Sequence, residues 1–313
     1  MIIAMTGGSG FIGKRLVQRH LARGDTVRVL TRNPSGNSLP EGVEFFKGDL
    51  SLAETRFDNF VDGADVLYHC AAELRDVSRM EAVNVLGTQR LIPVASKRVR
   101  RWVQLSSVGA YGPVRQGIIT EQSPEQPSGP YEVTKTQADA LVRQAAENGA
   151  FEAVLLRPSI VYGEGMPNRS LYQWLAMIER GLFFFMGPEG ASANYIHVDD
   201  VVAALELCAM HTNAAGNTFN LSDWCTVEEL ANIYTTALGR PAPSRRIPLA
   251  PIRLLAAILG KIPRFPLTSS RVDALTNRAR YPITRIEKEL DFKLQVSMQE
   301  GMAQLACAWK AGR

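Results

Sequence analysis

Residues 2–24 read IIAMTGGSGFIGKRLVQRHLARG. The apolar run at residues 2–5 predicts a strand, the glycines after it predict a turn, and residues 11–23 predict a helix that ends at Gly24. Backbone N–H groups are free at a helix N-terminus, so this order of elements is typical of a site for the pyrophosphate of a dinucleotide. The stretch therefore predicts dinucleotide binding, with an ordinary tight turn as the alternative.

The glycines of this turn are expected to have separate roles. Gly7 permits the tight turn, Gly10 lets the backbone approach the phosphates, and Gly13 lets the helix pack closely on the sheet. Phe11 and Ile12 stand at the start of the helix, between the last two of these glycines. Together these residues are the first predicted cofactor contacts.

The composition is that of an ordinary globular chain. It has 313 residues, 46% of them apolar, and a formal net charge of +4 from 35 basic and 31 acidic residues that are interspersed. This length allows one large domain or two smaller ones, and the charge pattern does not indicate nucleic-acid binding. Met1 runs straight into the first strand, so no export signal is predicted and the cytoplasm is the expected compartment. The cysteines and histidines show no metal-binding spacing, so reduced thiols and no metal are expected.

One segment is markedly apolar. Residues 247–263 read IPLAPIRLLAAILGKIP, with two basic residues and three prolines. The segment is too short to span a bilayer, so no integral membrane segment is expected. A core helix or a lid over the substrate is the favoured interpretation, and a helix that rests on a membrane surface is the alternative.

Short apolar runs alternate with helical stretches through the first half of the chain. Beyond the first unit, strands are predicted at residues 26–31, 43–46, 66–70, 102–106 and 153–156, and helices at residues 84–96 and 131–148. Apolar strands separated by helices predict an α/β fold with a doubly wound parallel Rossmann sheet.

The alternation ends near residue 160, with one later strand predicted at residues 218–221. We expect a dinucleotide-binding Rossmann domain at residues 1–160, with a returning segment near residues 191–222. A smaller, mostly helical substrate-binding domain is expected from residues 161–190 and 223–313, over the carboxyl ends of the strands.

The residue pair with the clearest chemistry is Tyr131 and Lys135. They lie four residues apart, so they share one face of the helix predicted there. The lysine ammonium is expected to favour the phenolate and to bring the tyrosine pKa down from roughly 10 toward working pH. Ser107 ends a predicted strand and is placed to hydrogen-bond the same substrate oxygen. These residues predict hydride transfer between a substrate carbon and a nicotinamide.

Two further motifs extend this pattern, LSSVGAYG at residues 105–112 and LRPSIVYGEG at residues 156–165. With the glycine turn and the YxxxK pair, they resemble the extended branch of the short-chain dehydrogenase/reductase superfamily, the NAD-dependent epimerase/dehydratase family. The resemblance covers essentially the whole chain. It implies that Tyr131 is the catalytic acid/base and that Lys135 and Ser107 are its partners.

The resemblance also implies the rest of the cofactor site. Asp49, with Leu50 beside it, resembles the family's adenine contact, and Ala71 and Ala72 resemble the loop that passes under the cofactor. Lys135 is a cofactor contact as well as a catalytic residue in this scheme.

Several other positions match family motifs. Pro158 falls with Arg157 and Tyr162 in the motif on the nicotinamide side. Asn84 looks like the family's structural asparagine, and a homodimer is expected through the helices at residues 84–96 and 131–148. The segment YIHVDDV also matches, and its two aspartates, Asp199 and Asp200, are interpreted as helix caps.

Departures from the family pattern narrow the function. An NAD-preferring site has an acidic residue near the end of the second strand, where this chain has Thr31 and Arg32. An arginine there suits a 2′-phosphate, and stacking on the adenine or exposure to solvent are its alternatives, so the cofactor is NADP or NAD with NADP modestly preferred. Dehydratases of the family carry an Asp-Glu pair directly after the catalytic serine or threonine, where this chain has Val108 and Gly109. Dehydration is therefore disfavoured.

Nucleotide-sugar members also carry an arginine and an acid before the YIHVDD segment, where Ala193 and Asn194 stand here. A substrate diphosphate would then need another partner, with Arg271, Arg278 and Arg280 as the candidates, although each of them is also expected to be a solvated side chain.

Three functions remain open. The first is an NAD(P)-dependent 4-ketoreductase or 4-epimerase of a nucleotide-linked sugar, with substrate contacts expected from Ser107, Asn168, Arg169, Trp174 and Arg271. The second is a reductase or dehydrogenase of an apolar hydroxy or keto compound, similar to 3β-hydroxysteroid dehydrogenases or dihydroflavonol reductases. It is favoured by the missing arginine and by the apolar segments at residues 182–186 and 247–260. The third is a protein that binds the dinucleotide without turnover.

Overall fold

The computed structural model describes residues 1–34, 39–259 and 269–311. The side chains of residues 258, 259, 269–271 and 274 lie outside this description as well.

The strands follow the chain in this order: β1 (Ile2–Thr6), β2 (Thr26–Thr31), β3 (Val43–Lys47), β4 (Val66–His69), β5 (Arg101–Leu105), β6 (Gln116–Ile118), β7 (Glu152–Pro158), β8 (Ile160–Tyr162), β9 (Phe185–Met186), β10 (Ser192–His197), β11 (Thr218–Leu221), β12 (Asp223–Thr226), β13 (Arg246–Ile247) and β14 (Arg278–Arg280).

The α-helices are α1 (Phe11–Ala22), α2 (Asp58–Val61), α3 (Val77–Met80), α4 (Gly87–Ala95), α5 (Pro130–Glu147), α6 (Ser170–Glu179), α7 (Val198–Met210), α8 (Val227–Leu238), α9 (Leu249–Leu259), α10 (Ser269–Thr276), α11 (Thr284–Leu290) and α12 (Met298–Ala311). A π-helical turn, Glu81–Leu86, precedes α4, and 3₁₀ turns lie at Val108–Tyr111 and Thr212–Ala214.

The central sheet has seven parallel strands in the order β11-β7-β5-β4-β1-β2-β3. The strand order reverses at β1, with β2 and β3 on one side and β4, β5 and β7 on the other. Such a switch point opens a crevice at the carboxyl ends of the strands, where doubly wound sheets bind their ligands. The predicted Rossmann fold is confirmed.

Alternating side chains of β1 explain why both faces of the sheet are covered. Ile3 and Met5 join the apolar core on one face, with residues of α1 and α7, whereas Ala4 joins the core on the other face, with residues of α4 and α5. All three are fully buried. Successive side chains of a strand point to opposite faces, so a continuous apolar run requires helices on both sides.

A separate apolar core joins α6, α8 and α12 around the small sheet β12-β10-β8. β11, predicted as a returning strand, pairs with β7 in the central sheet. Residues 283–292 were expected in the substrate-binding domain, but Ile283, Ile286, Leu290 and Phe292 pack in the core of the central sheet. The division into two domains remains a proposal, and this packing moves residues 283–292 into the first domain.

Helix α9 covers much of the apolar segment 247–263, whose last four residues lie outside the described part. Ile252 and Ala256 pack with Val272 against Phe184 and Met186 in a small satellite core. Across the described residues, none of the helices combines the length and the apolar character needed to cross a membrane.

Candidate active site

A cleft of about 2230 Å³ opens at the carboxyl ends of the central strands. Thr6 of β1, Thr31 of β2 and Pro158 of β7 line it where their strands end, as does Ser107 just after β5. The cleft therefore occupies the crevice that the switch point of the sheet creates.

The glycine turn forms one wall of this cleft. Gly7 has a φ of +73°, and a Cβ on it would lie 2.6 Å from the backbone nitrogen of Ala71. The amide of Gly10 donates to the carbonyl of Gly7 at 3.0 Å, and Gly10 is the N-cap of α1. Gly10, Phe11 and Ile12 line the cleft, so the N-terminus of α1 faces it. A bare backbone at a helix N-terminus fits a phosphate group.

Gly13 has a different role from the expected one. A Cβ on Gly13 would lie 2.2 Å from the carbonyl oxygen of Gly7 and 2.8 Å from the Cα of Gly8. The close approach that requires glycine is therefore between the helix and the turn, and not between the helix and the sheet.

The far end of the cleft is lined by Arg32, Asp49 and Leu50. Burial would raise the pKa of Asp49, but hydrogen bonds from Ser51 and the charges of Arg32 and Arg79 hold it below its usual value. Asp49 accepts from the amide and the hydroxyl of Ser51, each at 2.8 Å. This end of the cleft therefore combines the exposed guanidinium of Arg32 with the carboxylate of Asp49, which is hydrogen-bonded to Ser51 of its own loop.

The floor of the cleft includes Ala71 and Ala72. Asn84, buried in the π-helical turn, accepts from the amide of Glu73 at 2.7 Å and donates to its carbonyl at 3.1 Å. Its amide group also contacts the Thr134 hydroxyl at 3.0 Å. Asn84 thus ties the loop that forms the floor to α5, the helix that carries Tyr131 and Lys135, as a structural asparagine would.

Ser107 and Tyr131 line the same cleft as the glycine turn. Lys135 is 4% exposed and does not belong to the lining. The Ser107 hydroxyl accepts from the amide of Gly109 at 3.0 Å at the start of the 3₁₀ turn, which leaves its proton free for a ligand.

The pKa of Tyr131 differs from the sequence-based expectation. Burial raises it above the ordinary value, and the carboxylates of Asp139 and Glu132 raise it further. Burial also lowers the pKa of Lys135, against the opposing effect of Asp139. Tyr131 is therefore held as the neutral phenol, the form that donates a proton.

A buried ionic network behind Tyr131 was not foreseen from the sequence. Asp139 is fully buried, accepts from the hydroxyl of Ser106, and lies 3.6 Å from the guanidinium of Arg157. Arg157 also donates to Glu125. The signal was present, since Asp139 follows Lys135 by four residues and shares its helix face.

Of the three residues named on the nicotinamide side, Pro158 lines the cleft, whereas Arg157 and Tyr162 do not. Arg157 is buried, and its guanidinium lies 4.9 Å from the centre of the Tyr111 ring. Tyr162 is also buried, with its ring 5.3 Å from that of His197. Both side chains therefore pack beneath the lining of the cleft and do not reach into it.

Two of the residues expected to contact the substrate, Asn168 and Arg169, line the cleft. Trp174 does not, because its ring packs 5.2 Å from that of Phe183 in the second core. The side chain of Arg271 lies outside the described residues. Sequence reasoning missed other charged and aromatic lining residues, namely Lys14, Arg15, Glu73, Arg75, Glu164, Tyr172 and Trp309.

The remaining candidates for a diphosphate partner point elsewhere. Arg278 donates to the carbonyl of Pro188 at 3.1 Å, and the Arg280 guanidinium lies 3.6 Å from the centre of the Trp224 ring. Neither belongs to the lining of the cleft.

The expected helix caps also differ. His197 is the N-cap of α7 and accepts from the amide of Asp199 at 3.3 Å. Asp199 pairs with Arg15 at 3.4 Å, and buried Asp200 accepts from the amide of Gln295 at 2.6 Å. The two aspartates therefore join distant segments and do not cap the helix.

The sequence profile of the NAD dependent epimerase/dehydratase family matches residues 3–222 of the chain. The chain belongs to this family. It is an enzyme of the extended short-chain dehydrogenase/reductase type, and the family is NAD-dependent.

Relatives of this family member differ in their substrates. It is 27% identical to the UDP-glucose 4-epimerase of Vibrio cholerae, over 98% of this chain and 95% of that one. It is 29% identical to the 4-hydroxy-2-methyl-3-oxo-4-farnesyl-3,4-dihydroquinoline-1-oxide ketoreductase of Stigmatella aurantiaca, over 99% of this chain and 97% of that one. A short-chain dehydrogenase/reductase structure from Agrobacterium tumefaciens with bound NAD is 25% identical, with a TM-score of 0.77 and coverage of 100% of this chain and 98% of that one.

Proposed function

We propose that this family member transfers a hydride at a sugar carbinol or ketone, as a nucleotide-sugar 4-ketoreductase or 4-epimerase, with Tyr131 as the acid/base. The supporting observation is that one cleft is lined by the glycine turn, Ser107, Tyr131 and Pro158. A cofactor placed on the turn and a substrate placed at Tyr131 would thus share one space.

In the reductive direction, the Tyr131 phenol donates its proton to the substrate oxygen while Ser107 donates a hydrogen bond to the same oxygen. The bound dinucleotide supplies the hydride. The ammonium of Lys135, on the same helix face, offsets the negative charge left on Tyr131. In the oxidative direction, Tyr131 as phenolate takes the proton back. Burial and nearby carboxylates raise the pKa of Tyr131 and so favour the phenol, which is the form that acts in the reductive direction.

NADP is the cofactor that we propose, with NAD as the alternative. Arg32 is an exposed guanidinium in the cleft lining. The end of β2 has Thr31 and Arg32 in place of an acidic residue that would bind the ribose hydroxyls.

The reaction type that we propose is reduction or epimerisation and not dehydration, because Val108 and Gly109 after Ser107 offer no carboxylate for loss of water.

The second candidate is reduction of an apolar ketone. Leu74 and Ile160 line the cleft with 63% and 48% of their surface exposed, which gives it an apolar rim. Arg278 and Arg280, the sequence-based candidates for binding a diphosphate, contact the Pro188 carbonyl and the Trp224 ring instead. The similarity to a farnesyl-dihydroquinoline oxide ketoreductase also supports an apolar ketone as the substrate.

Binding of the dinucleotide without turnover is a lesser alternative. A homodimer and a cytoplasmic location are further proposals.

The first experiment identifies any dinucleotide released when the purified protein is denatured. Near-stoichiometric trapped NAD would favour an epimerase and count against NADP. An empty protein that binds NADPH more tightly than NADH would favour a reductase. A panel of nucleotide-linked 4-keto sugars and of apolar ketones then separates the two substrate classes.

Tyr131→Phe tests the catalytic assignment. We expect turnover to fall by about 10²–10⁴-fold, since the phenolic hydroxyl is the only group removed, and the Kd for the dinucleotide to stay unchanged. Tyr281→Phe is the matched control, because Tyr281 stacks on Tyr111 outside the cleft lining. Full activity in Tyr131→Phe, or loss of dinucleotide affinity, would remove Tyr131 from this role.

A further inference from the structure

Helix α9 belongs to a part of the chain without carboxylates. Between Leu230 and Val272 the sequence has no aspartate or glutamate, and it has seven basic residues, at positions 240, 245, 246, 253, 261, 264 and 271. The whole chain carries only +4, from 35 basic and 31 acidic residues. Positive charge is therefore concentrated in this one segment of the second half.

The same helix exposes apolar side chains. Its inner face is buried through Ile252 and Ala256, whereas Leu254 and Leu255 are 63% and 48% exposed. One exposed leucine needs no explanation, whereas two adjacent ones form a small apolar patch on the outer face of the helix. Ile247, in the strand just before α9, is a further exposed apolar side chain.

Little in the described residues neutralises the surrounding charge. Arg253 pairs with Asp273 at 3.4 Å, but both side chains are more than two-fifths exposed, so the pair is weak. Arg246 is held by Glu228 at 2.8 Å. Arg240 and Arg245 are exposed, and neither forms an ion pair with any part of the chain that the structure describes.

We propose that α9 rests on an anionic membrane surface, with Leu254 and Leu255 in the interfacial layer and the neighbouring arginines against the lipid headgroups. Apolar side chains beside basic ones, in a segment that has no acidic residues of its own, are the pattern of helices that lie in the plane of an anionic leaflet. A second copy of this chain fits less well as the partner. A symmetric contact through α9 would bring the positive segments of the two copies together, and they would repel each other.

The test is co-sedimentation of the full chain with vesicles of phosphatidylcholine, alone or with about 30 mol% phosphatidylglycerol. We expect binding to the anionic vesicles only, and a loss of binding as salt screens the headgroups. The double variant Leu254→Glu and Leu255→Glu should lower the partition coefficient by about tenfold or more, since it removes the inserted groups and adds repelled charges.

The matched control is the double variant Leu52→Glu and Ile118→Glu. It makes the same change of charge at two other exposed apolar positions, 46% and 72% exposed. The control should bind like the unmodified chain, and both variants should keep the thermal stability and cofactor binding of that chain. No binding of the unmodified chain to anionic vesicles, or equal losses in the two variants, would falsify the proposal. A change of oligomeric state in the α9 variant alone would assign the face to a protein contact and overturn it as well.

Discussion

At the residue scale, Arg32 is the side chain on which our proposal of NADP rests. It is exposed at the end of the cleft, and its charge helps to hold the pKa of Asp49 below its usual value. We propose that the adenosine ribose of a dinucleotide bound at the glycine turn lies beside this guanidinium. A 2′-phosphate there would gain a charge-assisted hydrogen bond, which a ribose hydroxyl cannot match.

Arg32→Ala should therefore raise the Kd for NADPH by about tenfold or more, since a charge-assisted bond to phosphate contributes about 1.5–3 kcal/mol. The Kd for NADH should change little. Fluorescence titration with both dinucleotides measures the two values. Arg79→Ala is the control, because Arg79 also pairs with Asp49, at 3.5 Å, but does not line the cleft. Equal losses for NADH and NADPH in Arg32→Ala would mean that Arg32 stacks on the adenine, and the NADP proposal would fail.

At the scale of elements, the strand–turn–helix unit depends on the backbone of Gly7. Gly7→Ala imposes two costs. Alanine at a φ of +73° costs about 1–2 kcal/mol, and the added Cβ meets the Ala71 backbone at 2.6 Å, where no side chain can move aside. The clash displaces the turn from the floor of the cleft, so we expect lower stability together with at least about tenfold weaker dinucleotide binding.

Gly63→Ala separates these two costs. Gly63 has a similar φ of +65°, but a Cβ on it meets no heavy atom within 4 Å. It should lose about 1–2 kcal/mol of the free energy of unfolding and no cofactor affinity. Chemical unfolding and dinucleotide titration of both variants give the comparison. If Gly7→Ala binds the dinucleotide as Gly63→Ala does, the close approach of turn and floor has no part in the cofactor site.

The elements also show what a sequence can predict. The strands at residues 26–31 and 218–221 were predicted to the residue, because their apolar runs are bounded by turn residues. The π-helical turn at Glu81–Leu86 was missed, since hydrophobic periodicity does not distinguish one wide turn from an α-helix. Trp174 was expected to contact the substrate but packs in the second core, for a different reason. An aromatic on an amphipathic helix fits a core as well as a cleft, and only the packing of Phe183 decides between them.

The direction of the Tyr131 pKa shift is a further example. The four-residue spacing places Lys135 on the right face, but it reveals neither the burial of the phenol nor the nearby charge of Asp139. Local spacing predicts which groups meet, whereas burial and long-range partners determine their electrostatics.

At the scale of the whole molecule, His69 couples the stability of the fold to pH. It ends β4, is fully buried, and joins two hydroxyls from different elements, Thr6 at 2.8 Å and Thr88 at 3.0 Å. Burial, helped by the charge of Lys135, lowers the pKa of His69 to about 3. Between that value and the ordinary one of about 6.5, the unfolded chain binds a proton that the folded chain does not, so stability falls as the pH falls.

From this shift we expect His69 alone to cost the protein about 2 kcal/mol of unfolding free energy between pH 7.5 and pH 5. The variant His69→Gln keeps a hydrogen-bonding side chain at this position but removes the group that binds the proton. It should be less stable than the unmodified chain at pH 7.5, because a glutamine cannot bond both hydroxyls in the same geometry, but its stability should fall less on acidification. Urea unfolding at the two pH values measures the difference in slope.

Comparing slopes removes the contributions of the other histidines. Burial also lowers the pKa values of His20 and His197, and both residues are present in each protein. His211→Gln serves as the control, because it removes a histidine that lies outside the buried cores. If His69→Gln loses stability with acid as steeply as the unmodified chain, the acid sensitivity of the molecule arises from other groups, and His69 is already charged or solvated within the folded sheet.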